Sequence, residues 1–530
     1  MAFKRRREQH TDDEAYSEAS GSGYDAPVKK TKQPVKKKTK STPKQAKKKS
    51  KAEDAPMECE DARDIPHDKN LHRISSADTL CDDLLTWFTG VNETRGMPWR
   101  KTYDSTLSKD ERAQRAYEVW VSEMMLQQTQ VATVIPYYNR WMAKFPTIRD
   151  LGAATIDEVN AIWAGLGYYQ RASRLLAGAQ KSVKSNNGRL PDNAKDMESD
   201  IPGIGRYTAG AICSIAYGER VPVLDGNVMR LLSRVLALHA KPKGKATLDI
   251  LWEAAETIVK VKPSPDGNKE TIVGKRHAGD INEALIELGS TVCKVKNPGC
   301  ADCPIQTHCM AYQREVQTPA ASEPDIEDLC TLCEPLVEVG VTAYPMKAER
   351  KAPRTELDIV TIVEWTASKD STDRFFLLLR RPDTGLLAGL FDFLSEADVD
   401  EKLTVKACLD KSMQMVKGYI EGPFQKTADP SLSRFFGSQS EGNNDEKLED
   451  MLTVQHVKPV GDVLHLFSHI RKTYRAQWVK LSGGGTEPPA IKNKGKGAAE
   501  CVWRPYSEVE RSNISTGTGK VWQLACKMWG

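Results

Sequence analysis

The chain of 530 residues carries 76 Lys and Arg against 72 Asp and Glu, a net charge of +4, so overall charge favours no class of partner. The length predicts roughly three domains with room for proper cores, and no apolar run approaches the roughly 18 residues of a membrane helix, so no membrane partner is expected. Twelve cysteines without a secretory signal point to a reducing compartment, where clustered cysteines hold metal more often than disulfides.

Residues 1–70 are polar, rich in Lys, Ser and Pro, and almost free of large apolar side chains. They cannot bury enough surface to offset chain entropy and are expected to be disordered. The opening MAFKRRREQHTDDEAY lacks the apolar core of a signal peptide, and its acids argue against a mitochondrial transit peptide. Val28 to Lys51 is a lysine run without an acid. It reads as a nuclear-import signal, a loose DNA tether or a merely solvated tail.

Folded sequence is expected from residue 71, with Leu80, Leu84, Leu85, Trp87 and Phe88 at helical spacing. After Met97-Pro98-Trp99-Arg100, a polar stretch of about fifteen residues reads as a surface loop. In YEVWVSEMMLQQTQ (117–130), Glu123 interrupts an apolar helical run. A carboxyl on a half-buried helix face is partly desolvated, keeps its proton nearer neutrality and can act as a general acid. A place on the polar side of the helix fits the pattern equally well. WAGLGYYQR (163–171) sets aromatics beside glycines, a pattern that is more often plain packing.

In Pro202-Gly203-Ile204-Gly205, two glycines permit a tight turn before a helix that has Ala209, Ile212, Cys213 and Ala216 on one face. Free amides at such a turn make a phosphate seat, with Gly203 and Gly205 in it. Asp225 directly precedes the helical stripe Val228, Leu231, Leu232, Val235 and Leu236, where an aspartate is most often an N-cap. Residues 262–278 are polar and loop-like. Cys293-x6-Cys300-x2-Cys303-x5-Cys309 then places four thiols in 17 residues, enough to close round one inorganic centre, generically a structural zinc.

A Pro- and Glu-rich connector, 311–354, contains Cys330-x2-Cys333. From Thr355 the pattern changes to strands: LDIVTIVEW, RFFLLLRR and GLLAGLFDFL. HLFSHIRKTY holds Phe467-Ser468-His469, and SEGNNDEKLED and SGGGTEPPAIKNKGKG read as disordered insertions.

PGIGRYTAGA together with LDGNVMRLLSR resembles the helix-hairpin-helix and catalytic aspartate of the endonuclease III superfamily of DNA glycosylases. Bifunctional members carry a lysine at the place of Tyr207; its amine attacks the sugar, and a phenol cannot. With tyrosine there, and with MPWR, SEMMLQQTQ, GLGYY and the cysteine spacing, the chain is similar to the MutY adenine glycosylases, strongly over 75–310 and more loosely over 340–480. The resemblance implies that Glu123 protonates the leaving adenine, that Asp225 stays ionised at the sugar, and that Asn227 and Tyr207 orient them. Trp99, Arg100, Leu126 and Glu283 would line the adenine pocket. Gln128 would fill the gap left by the extruded base, and Tyr168 would wedge into the duplex.

The same resemblance makes Cys293, Cys300, Cys303 and Cys309 ligands of a [4Fe-4S] cluster that holds Lys294 and Lys296 against phosphate. Animal MutY proteins bind zinc in the connector with more cysteines than Cys330 and Cys333, so zinc or free thiols both stand. The C-terminal part resembles a Nudix-like domain, without the Glu-rich box a Nudix hydrolase needs after GLLAGLFDFL. Its Phe467, Ser468 and His469 would contact 8-oxoguanine.

The expected molecule is multidomain. A disordered basic extension (1–70) precedes an α-helical two-lobe glycosylase domain (71–310) whose cluster loop is 293–309. The connector (311–354) and an α+β Nudix-like domain (355–530) follow. Its expected work is monofunctional hydrolysis of adenine mispaired with 8-oxoguanine, also guanine, in double-stranded DNA. Such chemistry needs a proton on the purine and a stabilised oxocarbenium sugar, after the base has been flipped from the stack. Two rivals are a bifunctional pyrimidine-lesion lyase and a non-catalytic DNA-binding protein. Further expectations are a monomer in the nucleus with a mitochondrial pool left open, and repair or replication proteins meeting the connector and termini.

Overall fold

A computed structural model describes residues 67–263, 272–316, 329–336, 340–347, 352–369, 371–382, 387, 389–425, 432, 435, 451–467, 470–492 and 500–529. The lysine run, residues 317–328, 337–339 and 348–351 of the connector, SEGNNDEKLED, Ser468 and His469 lie outside the described residues.

Among the described residues thirteen α-helices come first: α1 (Ala77–Val91), α2 (Lys109–Leu126), α3 (Val131–Lys144), α4 (Ile148–Ala153), α5 (Ile156–Trp163), α6 (Gln170–Ser185), α7 (Ala194–Asp200), α8 (Arg206–Ile212), α9 (Gly226–Val235), α10 (Lys245–Val259), α11 (Ile272–Lys275), α12 (Ala278–Thr291) and α13 (Met310–Val316). Ser108 and Glu111 form a capping box at the start of α2, and Thr147 with Asp150 and Thr155 with Glu158 do the same for α4 and α5. The expected loop after Arg100 is therefore shorter than read. Its second half is the first turns of α2, nucleated by Ser108-x-x-Glu111, a signal present in the sequence.

The helices pack into two cores. One gathers Trp120, Trp141, Trp163, Leu175 and Ile212 from α2 to α8; the other gathers Leu84 and Phe88 of α1 with Leu231, Leu251, Ile281 and Leu285. The chain passes between lobes twice. Phe88 belongs to one core and Met97 to the other, and the return falls between Val223 and Leu224. Arg100 and Asp225 follow these two crossings directly, which is why both come to the boundary between lobes.

The expected helix after Gly205 holds only to Ile212, where Cys213–Tyr217 widens into a π turn. Gly279 of α12 lies against it: a Cβ there would meet the Ile215 Cα and Ser214 carbonyl at 2.9 Å. The loop read over 262–278 also contains α11 and the buried Arg276, which pairs with Asp78 and Asp82 of α1 at 2.7 Å.

The C-terminal sheet has the order β3-β2-β1-β7-β6-β5, with β4 on β1 and β8 on β2. Its strands are β1 (Arg354–Thr366), β2 (Phe375–Arg380), β3 (Phe391–Asp392), β4 (Leu394–Glu396), β5 (Phe424–Gln425), β6 (Leu452–Leu466), β7 (Ile470–Gly483) and β8 (Cys501–Pro505). β1 and β7 are parallel; β6 and β7 form a long antiparallel hairpin. Helix α14 (Val405–Tyr419) packs on the face bearing Val363 and Trp365, and α15 (Thr516–Trp529) on the face bearing Val360 and Ile362. Period-2 alternation thus buries both faces of β1.

Two strand-domain readings are corrected. GLLAGLFDFL is strand only at Phe391–Asp392 and from Leu394; Leu390 instead inserts into the core of the helical lobe, with Leu387 packed beside it. SGGGTEPPAIKNKGKG is structured through Lys492, because its backbone pairs with the end of α14 (Glu421 N to Ala490 O, 2.8 Å; Lys492 N to Tyr419 O, 2.8 Å) and Pro489 O accepts from the Trp503 indole at 3.0 Å.

Candidate active site at the lobe boundary

The Tyr207 hydroxyl, on α8, donates to Glu123 Oε2 on α2 at 2.9 Å. Asp225 caps α9, accepting from Val228 N at 2.7 Å, and its second oxygen accepts from Asn227 Nδ2 at 2.9 Å. Arg230, one turn on, donates to Asn227 Oδ1 at 3.0 Å and to the Cys293 carbonyl at 2.9 Å. Glu283 of α12 faces Arg100, Nε to Oε1 3.7 Å. The pattern-level ambiguity over Glu123 closes here. It is partly buried, and its partners are in other elements.

Burial pushes the Glu123 carboxyl up to about 7; the Tyr207 hydroxyl pulls the other way, and the Glu283 and Asp225 charges add to the rise. Burial likewise takes Glu283 to about 7 against Arg100 and Arg115. It also raises Asp225, where the Val228 amide, Asn227 side chain and Arg230 oppose it. Tyr207 is driven well above the ordinary phenol, first by burial and then by the Glu123 and Asp225 charges. Three partly buried carboxyls in one field resist ionising together. Asp225, with two donors and a guanidinium behind them, is better furnished to hold a charge, and burial pushes Glu123 towards its protonated form.

Trp99 is buried edge-on to Tyr138, and Leu126 packs against the same core. Arg100 is aimed by Glu287, 2% exposed, whose Oε2 accepts from Arg100 Nη2 at 3.0 Å while Arg95 pairs with Oε1 at 3.2 Å. The sequence reading missed Glu287. Its signal was the Glu283-x3-Glu287 spacing, which puts both acids on one helix face.

Gln128 and Tyr168 stand on turns with φ of 54° and 48°, and Tyr168 is 51% exposed. Non-glycine residues held there cost about 1–3 kcal/mol each and concentrate at functional turns. Of the two glycines of the 203–205 turn, only Gly203 needs its conformation, at φ 83°; Gly205 is extended at −104° and caps α8.

Cys293, Cys300, Cys303 and Cys309 line one cavity with Leu231, Val235 and Ile305, and Arg234 Nη1 donates to Cys293 Sγ at 3.2 Å. A second group was only half read from the sequence. His67, His72, Cys330 and Cys333 bring one ligand atom each within 4.8 Å of one another. His72 Nε2 lies 3.4 Å from Cys330 Sγ, 3.3 Å from Cys333 Sγ and 3.2 Å from His67 Nε2. Its Nδ1 is hydrogen-bonded to Leu236 O at 2.9 Å, which fixes the tautomer and frees Nε2 for a metal. The extension read as disordered to residue 70 thus contributes His67, Asp68 bridges Leu329, and Lys69–His72 is a 3₁₀ turn. His67-x4-His72 was the available signal.

Phe467 N donates to Ile470 O at 2.9 Å, closing the β6–β7 hairpin, and its ring meets His465 edge-on at 4.6 Å. The Glu123–Asp225 group and this hairpin tip are on separate domains, which Asn513 and Asp157 link through a 3.4 Å hydrogen bond.

Residues 121–257 match the family model described as HhH-GPD superfamily base excision DNA repair protein. The adenine DNA glycosylase of Homo sapiens is 36% identical over 462 residues, spanning 83% of this chain and 73% of that one. That of Rattus norvegicus is 36% identical over 456 residues, 83% and 77% of the two chains. The Schizosaccharomyces pombe enzyme is 34% identical over 432 residues, 77% and 84%.

Proposed function

Because this chain belongs to the adenine DNA glycosylases, and so removes adenine from DNA in base excision repair, we propose that its substrate is adenine paired with 8-oxoguanine and that Glu123 and Asp225 carry the hydrolysis. The observation that carries this reading is the Tyr207–Glu123 hydrogen bond beside an Asp225 held by its own donors. With Tyr207 occupying one oxygen of Glu123, the proton sits on the other and passes to the purine as the glycosidic bond breaks. Ionised Asp225 stabilises the oxocarbenium sugar until water adds, and Asn227 fixes its rotamer.

Trp99, Arg100, Leu126 and Glu283 receive the flipped adenine. Gln128 fills the vacated stack, Tyr168 wedges the duplex, and the amides at Gly203 and Gly205 seat phosphate. Tyr207 has no amine to form a Schiff base, so the enzyme is monofunctional. Wild-type protein is expected to release adenine from an 8-oxoguanine:adenine duplex with strand breakage only after hot alkali, and to leave an oxidised-pyrimidine duplex whole. Strand cleavage without alkali would restore the lyase rival. Partner-base choice lies in Phe467, Ser468 and His469. The variant Ser468→Ala with His469→Ala should still release adenine but lose its preference over guanine:adenine duplexes, each lost base contact costing about 1–3 kcal/mol. An unchanged ratio moves the recognition site elsewhere.

The sign of the pH dependence follows from Glu123. Only its protonated form donates, so single-turnover excision should fall as pH rises through about 7. At low pH the loss should come instead from protonation of Asp225. A rate flat to about pH 9 would remove Glu123 from the acid role.

Cys293, Cys300, Cys303 and Cys309 suit a [4Fe-4S] cluster: four thiols round one cavity, with Arg234 supplying a donor to sulfur. The cluster would act as a structural node fixing the Lys294–Lys296 loop towards phosphate. His67, His72, Cys330 and Cys333 suit tetrahedral zinc. The lysine-rich segment 28–51 supports nuclear import.

A further inference from the structure

Arg171, the first basic residue after the GLGYY turn, is 4% exposed. Among the described residues no carboxylate pairs with it. Its guanidinium is spent on backbone oxygens from two separate turns. On one side Nη1 donates to the carbonyls of Met124 (2.9 Å), Met125 (2.8 Å) and Gln127 (2.6 Å), and Nη2 to Thr129 Oγ1 at 3.3 Å. These oxygens close the negative C-terminal end of α2 and flank Gln128. On the other side Nη2 donates to the carbonyls of Gly167 (3.1 Å) and Leu166 (3.4 Å), and Nε to that of Tyr168 at 3.4 Å. The group also lies over the Trp163 and Tyr168 rings, 5.2 and 5.4 Å from their centroids. Burying a cation is costly unless its donors are met, and here both turns are needed to meet them.

We propose that Arg171 is a positioning residue that bolts the Gln128 turn and the Tyr168 turn into one rigid jaw, so that both side chains enter the duplex together. The proposal rests on the wedge reading of those two side chains. Both stand at positive φ, a conformation that persists only where surroundings enforce it, and one guanidinium is common to the two surroundings. A flexible Gln128 or Tyr168 would have to be ordered at the moment of flipping; a jaw fixed beforehand does not. Only the planar fork of arginine reaches both sets of carbonyls, since lysine offers its three donors from a single atom.

The test uses the full chain carrying Asp225→Asn to stop chemistry, bound at saturation to a duplex with 2-aminopurine opposite 8-oxoguanine. Fluorescence then reports the unstacked base. Gln128→Ala and Tyr168→Ala should each dim the complex. Arg171→Gln and Arg171→Lys should lower the ratio of flipped to stacked base by at least about tenfold. Combining either Arg171 variant with Gln128→Ala and Tyr168→Ala should add nothing, because the jaw is already lost. A merely structural role would lower melting temperature and leave the three effects multiplicative. Should the Arg171 variants fail to fold, Thr129→Val removes a single acceptor on the Gln128 side and should cost about fivefold in the same ratio.

Full flipping in Arg171→Lys, multiplicative effects, or no effect of Thr129→Val where it is the variant used, would overturn the coupling while leaving the wedges in place. Unchanged fluorescence in Gln128→Ala and Tyr168→Ala would overturn the wedge reading, and the jaw with it.

Discussion

Asp225→Asn is expected to slow adenine release by about 10³- to 10⁴-fold at nearly unchanged affinity for the duplex. The substitution separates the two roles that Asp225 holds at once. Asn caps a helix about as well as Asp, so the bond from Val228 N and the start of α9 survive, while the negative charge proposed to face the sugar is gone. If capping were its whole contribution, Asp225→Asn would be nearly silent and Asp225→Ala would lose stability by about 1 kcal/mol. Glu123→Gln is the companion test. The amide still accepts from Tyr207 but has no acidic proton, so binding should persist and release should fall by about 10²- to 10⁴-fold. Excision near the wild-type rate in either variant would remove that residue from the chemistry.

The second large effect is expected at the connector metal site. Purified protein should carry about one zinc per chain beside about four iron. His72→Ala should lose the zinc and the tether between the segment at 67–72 and the connector at 329–334. Each structural zinc supplies about 10–16 kcal/mol of apparent binding energy, so removal of one ligand should lower metal affinity by orders of magnitude. His72 should matter more than His67, because its Nδ1 is locked on the Leu236 carbonyl and its ring is buried, so no water can replace it in the same place. The readouts are metal content and melting temperature; iron should stay full in the zinc-free variant. Full iron without zinc in the wild-type protein would leave Cys330 and Cys333 as free thiols.

Both cysteine groups also bear on how α9 is held. Arg230 and Arg234, one turn apart on α9, reach the Cys293 carbonyl and thiol. His72 reaches the carbonyl of Leu236 just past the end of that helix. The helix that presents Asp225 at its first turn is therefore anchored along its length to segments far away in sequence.

What the sequence by itself determined depends on neighbours a few residues apart. Helical stripes named α1, α2 and α9; apolar runs named β1 and β2 as strands; Cys-x6-Cys-x2-Cys-x5-Cys named one cavity of thiols; and Tyr207 in the place of an amine limited the chemistry. Of the two loops that were overread, the one after Arg100 had its correction in Ser108-x-x-Glu111. What only the tertiary structure decided were the pairings across long separations. Glu123 meets Tyr207 across 84 positions, His72 meets Cys333 across 261, and Arg171 meets the end of α2 across 44 to 47. Hydrophobic periodicity tells a helix which face to bury but not which residue it will face. The pairings follow from helices distant in sequence packing on a shared core, the first core for Glu123–Tyr207 and Arg171–α2 and the second for His72–Cys333. That packing also sets the desolvation, so the rise of the Glu123 and Asp225 carboxyls above their ordinary range belongs to the folded molecule and not to the string of residues.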